Sequence, residues 1–127
     1  MAMFNIEMIG TESKWGKNSA YITGYERTDM GAILQKNLEG TGFTFYPDPY
    51  PTQNLFFRSD NATLAAQGVP AHTISTSKMD SEPNYHRVSD EVSTLDLDNM
   101  TMIIKSVALS SRSIVAGKET PTRVKME

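Results

Sequence analysis

The feature that most constrains this chain is a long helical pattern near its end. Met100, Ile103, Ile104, Val107, Ala108, Ile114 and Val115 recur at the i, i+3, i+4, i+7 spacing that gives a helix one apolar stripe. Asp98 is placed to cap the start and Gly117 to end it. A helix with one apolar face must lay it against another layer. Upstream, short strand-like runs supply that layer: residues 3–9, 19–23, 43–46 and 70–75. Between them stand two further helical signals. In one, Thr28 or Asp29 caps a segment with Met30, Ile33, Leu34 and Leu38 at helical spacing, stopped by Gly40 and Gly42. In the other, Asp60 caps residues 62–67, closed by Gly68 and Pro70. Pro47, Pro49 and Pro51 demand an irregular loop, and residues 76–94 form a polar one. Strands alternating with helices predict an α/β layered fold.

Composition narrows the function classes. The 127 residues carry a net charge of -3, and their twelve Lys and Arg are scattered, so no basic patch marks a nucleic-acid binder. There is no cysteine, which excludes disulfides, thiolate metal sites and cysteine nucleophiles. No run of about 18 apolar residues is present to span a membrane, and no signal peptide is visible. Compartment stays open. The chain enters a core-like strand at its second or third residue, which leads us to expect a shortened domain; a short edge strand opening a self-sufficient domain is the alternative. Residues 1–117 are expected to form the domain part and residues 118–127 a frayed, charged tail.

Three polar residues carry the chemical argument. Glu7 interrupts the apolar run between Ile6 and Met8, and strand alternation puts it on one face with Asn5 and Ile9. A buried carboxylate needs a metal or a cation; a strand-end glutamate reaching solvent or a lysine needs neither. His86 lies in a polar loop, a common place for a metal ligand and also for an ordinary surface histidine. His72, in Val-Pro-Ala-His-Thr-Ile, reads as a packed, hydrogen-bonded core histidine.

Three segments, in order, resemble one family. Phe4-Asn5-Ile6-Glu7-Met8-Ile9-Gly10 resembles the strand that supplies a zinc-ligand carboxylate in the bacterial leucyl aminopeptidase family, which also holds glutamate carboxypeptidase II and the glutaminyl cyclases. Arg58-Ser59-Asp60-Asn61 followed by Gly68-Val69-Pro70-Ala71 resembles its Ser-Asp-His segment and the Gly-Ile-Pro-Ala after it. Tyr85-His86, followed by Ser89-Asp90-Glu91 and Leu95-Asp96, resembles the segment that carries its last zinc ligand. The resemblance runs from Phe4 to about Ile114.

The resemblance implies a partial three-layer α/β/α sandwich with a mixed sheet, its N-terminal half absent. It implies a two-zinc peptidase acting on peptide substrates. Glu7 would bind one zinc and His86 the other; Tyr85 would donate a hydrogen bond to the oxyanion; Arg58 and Asp60 would shape the substrate side. The family's His-x-Asp and Glu-Glu pairs, which supply the general base and further ligands, have no counterpart in this sequence. Asn61 stands where the family commonly has His, and Glu7 where Asp is more frequent. Two functional classes follow: part of a secreted or envelope-associated (periplasmic) aminopeptidase, inert alone, or a non-catalytic interaction module on the same fold. A glutaminyl cyclase is a third, with no specific sign. Uncovered apolar surface at the first strand also predicts a homo-oligomer.

Overall fold

A computed structural model describes residues 2–50, 55–58, 60–77 and 96–124. Strands β1 (Met3–Ile6), β2 (Ser19–Ile22), β3 (Thr44–Pro47) and β4 (Ala71–Ser75) form a sheet in the order β1-β4-β2-β3. β1 runs parallel to β4, β2 runs parallel to β3, and β2 meets β4 antiparallel, so the sheet is mixed. Helix α1 (Met30–Asn37) makes the crossover from β2 to β3. Helices α2 (Ala62–Ala65) and α3 (Leu97–Val115) complete the layers.

Alternation along the strands splits the core in two. Ala20, Ile22, Phe45 and Ile74 point to the face covered by α1 and α3, where Met30, Leu34, Leu38, Ile103 and Val107 fill the space. Ala71 points to the other face, against Phe56, Ala65 of α2 and Val124, with Met3 at its margin. Helices therefore cover both faces of an α/β sandwich, as the sequence pattern predicts.

Several boundaries differ from the sequence reading, each for a local reason. β1 ends at Ile6, because Met8 takes a left-handed backbone (φ 51) and turns the chain. That turn sends Ile9 into the α1–α3 core instead of leaving it on the face of Asn5. Asp96, not Asp98, caps α3: its carboxylate accepts from the Asn99 N–H at 2.9 Å. Asp60 caps nothing in α2; Asn61 stands at the cap position and turns its side chain into the sheet instead. The stripe of α3 is also rotated, since Asn99, Ser106 and Ser110 are buried while Ile104 and Val115 are exposed. The C-terminal segment docks as far as Val124 instead of fraying. Val124 N–H donates to the Gly68 carbonyl at 3.0 Å, and Asp29 and Thr122 exchange two hydrogen bonds. Among the described residues no helix is long and apolar enough to cross a membrane.

Candidate functional site

Glu7 follows the last residue of β1, and its N–H still donates to the Ile74 carbonyl at 3.3 Å. That bond extends the parallel register by one pair and sets Glu7 level with Ser75. The carboxylate is therefore at the C-terminal end of a strand, the usual edge for ligand sites in open α/β sheets. It is half-exposed, so burial alone does not oblige it to hold a metal.

The surroundings of Glu7 are polar and tightly bonded. The Met8 carbonyl accepts from Thr76 N–H at 3.3 Å and from the Ser75 hydroxyl at 3.2 Å. The Gly10 carbonyl accepts from Asp96 N–H at 2.6 Å. Ser77 and Asp96 flank residues 78–95, so both described ends of that segment are fastened beside the end of β1. Tyr85 and His86 lie outside the described residues.

Asn61 links α2 to this strand end. Fully buried, it donates to the Phe56 carbonyl at 2.8 Å and the Ala71 carbonyl at 3.0 Å, and accepts from the Thr73 hydroxyl at 2.9 Å. Thr73 in turn accepts from Asn5 Nδ2 at 3.0 Å, and Asn5 precedes Glu7 by two residues on the same face. Arg58 and Asp60 flank this connection as exposed residues in the turn before α2. Sequence reasoning missed Asn61 as the hub; its only signal was a short polar side chain before an apolar turn.

A row of aromatic residues also escaped the sequence reading. Cross-strand pairing puts Ser75 opposite Tyr21 and Tyr21 opposite Tyr46. Tyr21 is buried and donates to the Ser77 carbonyl at 2.7 Å. Burial pushes its phenol well above its ordinary pKa, and the charges of Asp48 and Glu7 push the same way, so it acts as a neutral donor. Burial also raises the Asp48 carboxyl, against a 2.7 Å hydrogen bond from Tyr50 N–H.

His72 is the packed histidine that the sequence suggested. It is almost fully buried, with Nδ1 2.7 Å from the Thr23 carbonyl and Nε2 2.8 Å from Thr28 Oγ1. A carbonyl can only accept, so Nδ1 carries the proton and Nε2 accepts from Thr28, whose oxygen receives Met30 N–H at 3.0 Å. Burial lowers the imidazole pKa. The unfolded chain takes up a proton below about pH 6.5, while the native state resists until lower pH. Stability present above that value is lost as pH falls towards the depressed native pKa. Urea midpoints measured from pH 7.5 to 5 should fall for the wild type, and the fall should be smaller in His72→Gln; parallel curves would contradict this account.

Among the described residues no group of three or more His, Cys, Asp and Glu could hold a metal ion. Glu7 offers an oxygen ligand suited to zinc, but the described side chains do not by themselves form a zinc site.

A family comparison decides the class: residues 1–110 match the model of peptidase family M28. The chain belongs to peptidase family M28. A crystal structure of the Legionella pneumophila LapA aminopeptidase matches 89% of this M28 chain with a TM-score of 0.66 and 19% identity. That likeness shows the fold. The match covers 31% of the LapA chain, so the M28 chain spans about a third of that protein's length. No curated protein sequence matches it significantly.

Proposed function

We propose that this chain is part of the catalytic domain of an M28 aminopeptidase, which releases N-terminal residues from peptides when the domain is complete. The observation that carries the reading is Glu7 at the C-terminal end of β1, within the matched region and beside both anchors of the segment holding Tyr85 and His86. In this reading Glu7 is a carboxylate ligand of one zinc ion and His86 an imidazole ligand of a second. Bound zinc would supply an activated water and a polarised carbonyl. Tyr85 donates a hydrogen bond where negative charge develops on the substrate oxygen. Arg58 and Asp60 shape the substrate side from the turn before α2. In this reading residues 1–117 are the C-terminal part of that domain, and the segment through Val124 docks against it.

Alone, the 127-residue chain has neither a Glu-Glu nor a His-x-Asp pair to supply a general base and a bridging ligand. It should show no turnover of aminoacyl-nitroanilides with zinc added, and calorimetry should find zinc binding weaker than micromolar. Turnover that survives purification and vanishes in Glu7→Ala would overturn the inert state. The aminopeptidase reading itself is tested by joining the chain behind an M28 segment that carries both pairs. The product should release leucine from leucine nitroanilide, and Glu7→Ala and His86→Ala should each reduce this at least about 100-fold. A well-folded but inactive product would favour an interaction module.

A further inference from the structure

Helix α3 carries a second stripe that the core does not use. Leu97, Thr101, Ile104, Ala108, Ser111 and Val115 follow one another at alternating steps of four and three, the seam spacing of paired helices. Leu97, Ile104 and Val115 are 55%, 53% and 76% exposed; Thr101 and Ala108 are exposed and Ser111 is half-buried. The neighbours of α3 fix the direction of this seam. Asn37 of α1 donates to the Ser110 carbonyl and to the Ser113 hydroxyl, both at 2.7 Å, so α1 lies along that flank of α3. At about 100° per residue the seam is on the opposite flank, with buried Ile103 and Val107 between the two. Helix α1 serves the β2 and β3 side of the sheet, and the core side of α3 meets Phe4 of β1 and Ile74 of β4. The seam therefore faces the same side of the molecule as the β1 edge. Ile6, on the helix-covered face of that edge strand, is exposed there too.

We propose that this side of the molecule docks a second copy of the chain, with the two α3 helices antiparallel across the two-fold axis that joins the two β1 edges. Along the seam the residues complement themselves in that direction. Leu97 meets Val115 of the partner subunit, Thr101 meets Ser111 of the partner subunit, and large Ile104 meets small Ala108 of the partner subunit. Charge agrees. Asp98, Lys105 and Arg112 follow one another at steps of seven along one flank of the seam. Antiparallel pairing sets Asp98 beside Arg112 of the partner subunit, twice in each dimer. Parallel pairing leaves the two about 21 Å apart along the helix axis at 1.5 Å per residue. Lys105 meets its own copy near the two-fold, where its long exposed side chain turns to water. Spacing agrees as well. Two paired strands stand about 4.8 Å apart, so a helix over the gap between β1 and β4 is about 5 Å from the axis between them. Two such helices are about 10 Å apart, a normal packing distance. One two-fold axis thus serves the strand edge and the helix seam together, and the pair is closed.

The chain has no cysteine, so introduced thiols report on chosen pairs alone. Thr101→Cys and Ser111→Cys are made as separate proteins; the hydroxyls they remove bond to carbonyls of α3 itself, so neither change touches the core. The two are mixed in equal amounts at about 50 µM in a glutathione buffer. The disulfide between the two variants should form at least about tenfold faster than the disulfide within either one, because like positions stand about 15 Å apart in the antiparallel pair. Leu97→Cys mixed with Val115→Cys should repeat the preference. Arg112→Glu in both proteins should slow the mixed disulfide about threefold or more, and Asp98→Lys added to Arg112→Glu should restore it. Equal rates for mixed and like pairs, or rates indifferent to the charge reversals, would overturn the antiparallel seam and leave this side to another occupant, such as the rest of an M28 domain. Neither result bears on the peptidase reading, which does not enter the argument.

Discussion

Asn61→Ala should destabilise the chain by roughly 3–5 kcal/mol. The carboxamide satisfies two backbone carbonyls and takes the proton of one hydroxyl in a fully buried place, and alanine removes all three bonds; the Thr73 oxygen keeps its bond from Asn5. Each such bond is worth about 1 kcal/mol, and each orphaned group costs about 1–3 kcal/mol unless water enters. The loss is concentrated because α2 has only four residues and little helical stability of its own. Asn61 is what fastens the turn carrying Arg58 and Asp60 to the strand next to Glu7. Asn61→Asp separates hydrogen bonding from volume. The new carboxylate would face two carbonyl oxygens without a donor, so this variant should be at least as damaging as Asn61→Ala at neutral pH. Protonation restores one donor, so the penalty of Asn61→Asp should shrink as pH falls, whereas that of Asn61→Ala should not. Urea denaturation of the wild type and both variants at pH 7.5 and 5 checks this. A loss below about 1 kcal/mol in Asn61→Ala would show that the network is not what holds α2.

Much of this frame was legible from residue spacing. β2, α1, β4 and α3 lie close to where apolar periodicity and glycine stops put them, because their own side chains decide their conformation. His72 was legible as a packed histidine because an apolar strand surrounds it. What escaped depends on partners distant in sequence. Left-handed backbone at Met8 is unusual for a residue with a side chain, and local pattern assigns such turns to glycine or asparagine. Its effect is large, since it separates Glu7 from Ile9 and ends β1 beneath the carboxylate. The aromatic row needed the strand order β1-β4-β2-β3, which periodicity does not contain. The docked C-terminal segment was hidden because Val124 is apolar only in a charged stretch, and its partner Gly68 lies 56 residues earlier. As for the proposed site, the motif resemblance named Glu7, Tyr85, His86, Arg58 and Asp60, but not the network through Asn5, Thr73 and Asn61 that positions the strand of Glu7.

At tens of micromolar the chain should sediment as a mixture of monomer and dimer, with an average mass between 14.1 kDa and twice that value. Among the described residues β1 has a strand neighbour on one side, β4. Its four residues, Met-Phe-Asn-Ile, carry no charge and no proline to blunt the edge, and Ile6 is 41% exposed. An antiparallel pairing of two β1 strands about a two-fold axis satisfies both edges with the same groups. It also places the two Glu7 side chains at opposite ends of the joined strand, so they do not repel. A parallel pairing would set them side by side. A four-residue strand buries less than the roughly 1,000 Å² of a stable interface, so the dimer should dissociate on dilution. Ile6→Lys should weaken it at least about tenfold, since it removes apolar burial and puts a charge on the paired edge. The same variant should leave monomer stability nearly unchanged, because Ile6 contributes little to either core. Sedimentation equilibrium from 5 to 200 µM separates the outcomes. A wild type that stays monomeric throughout, with one cooperative unfolding transition, would mean that the β1 edge is protected within the chain and that the homo-oligomer is wrong.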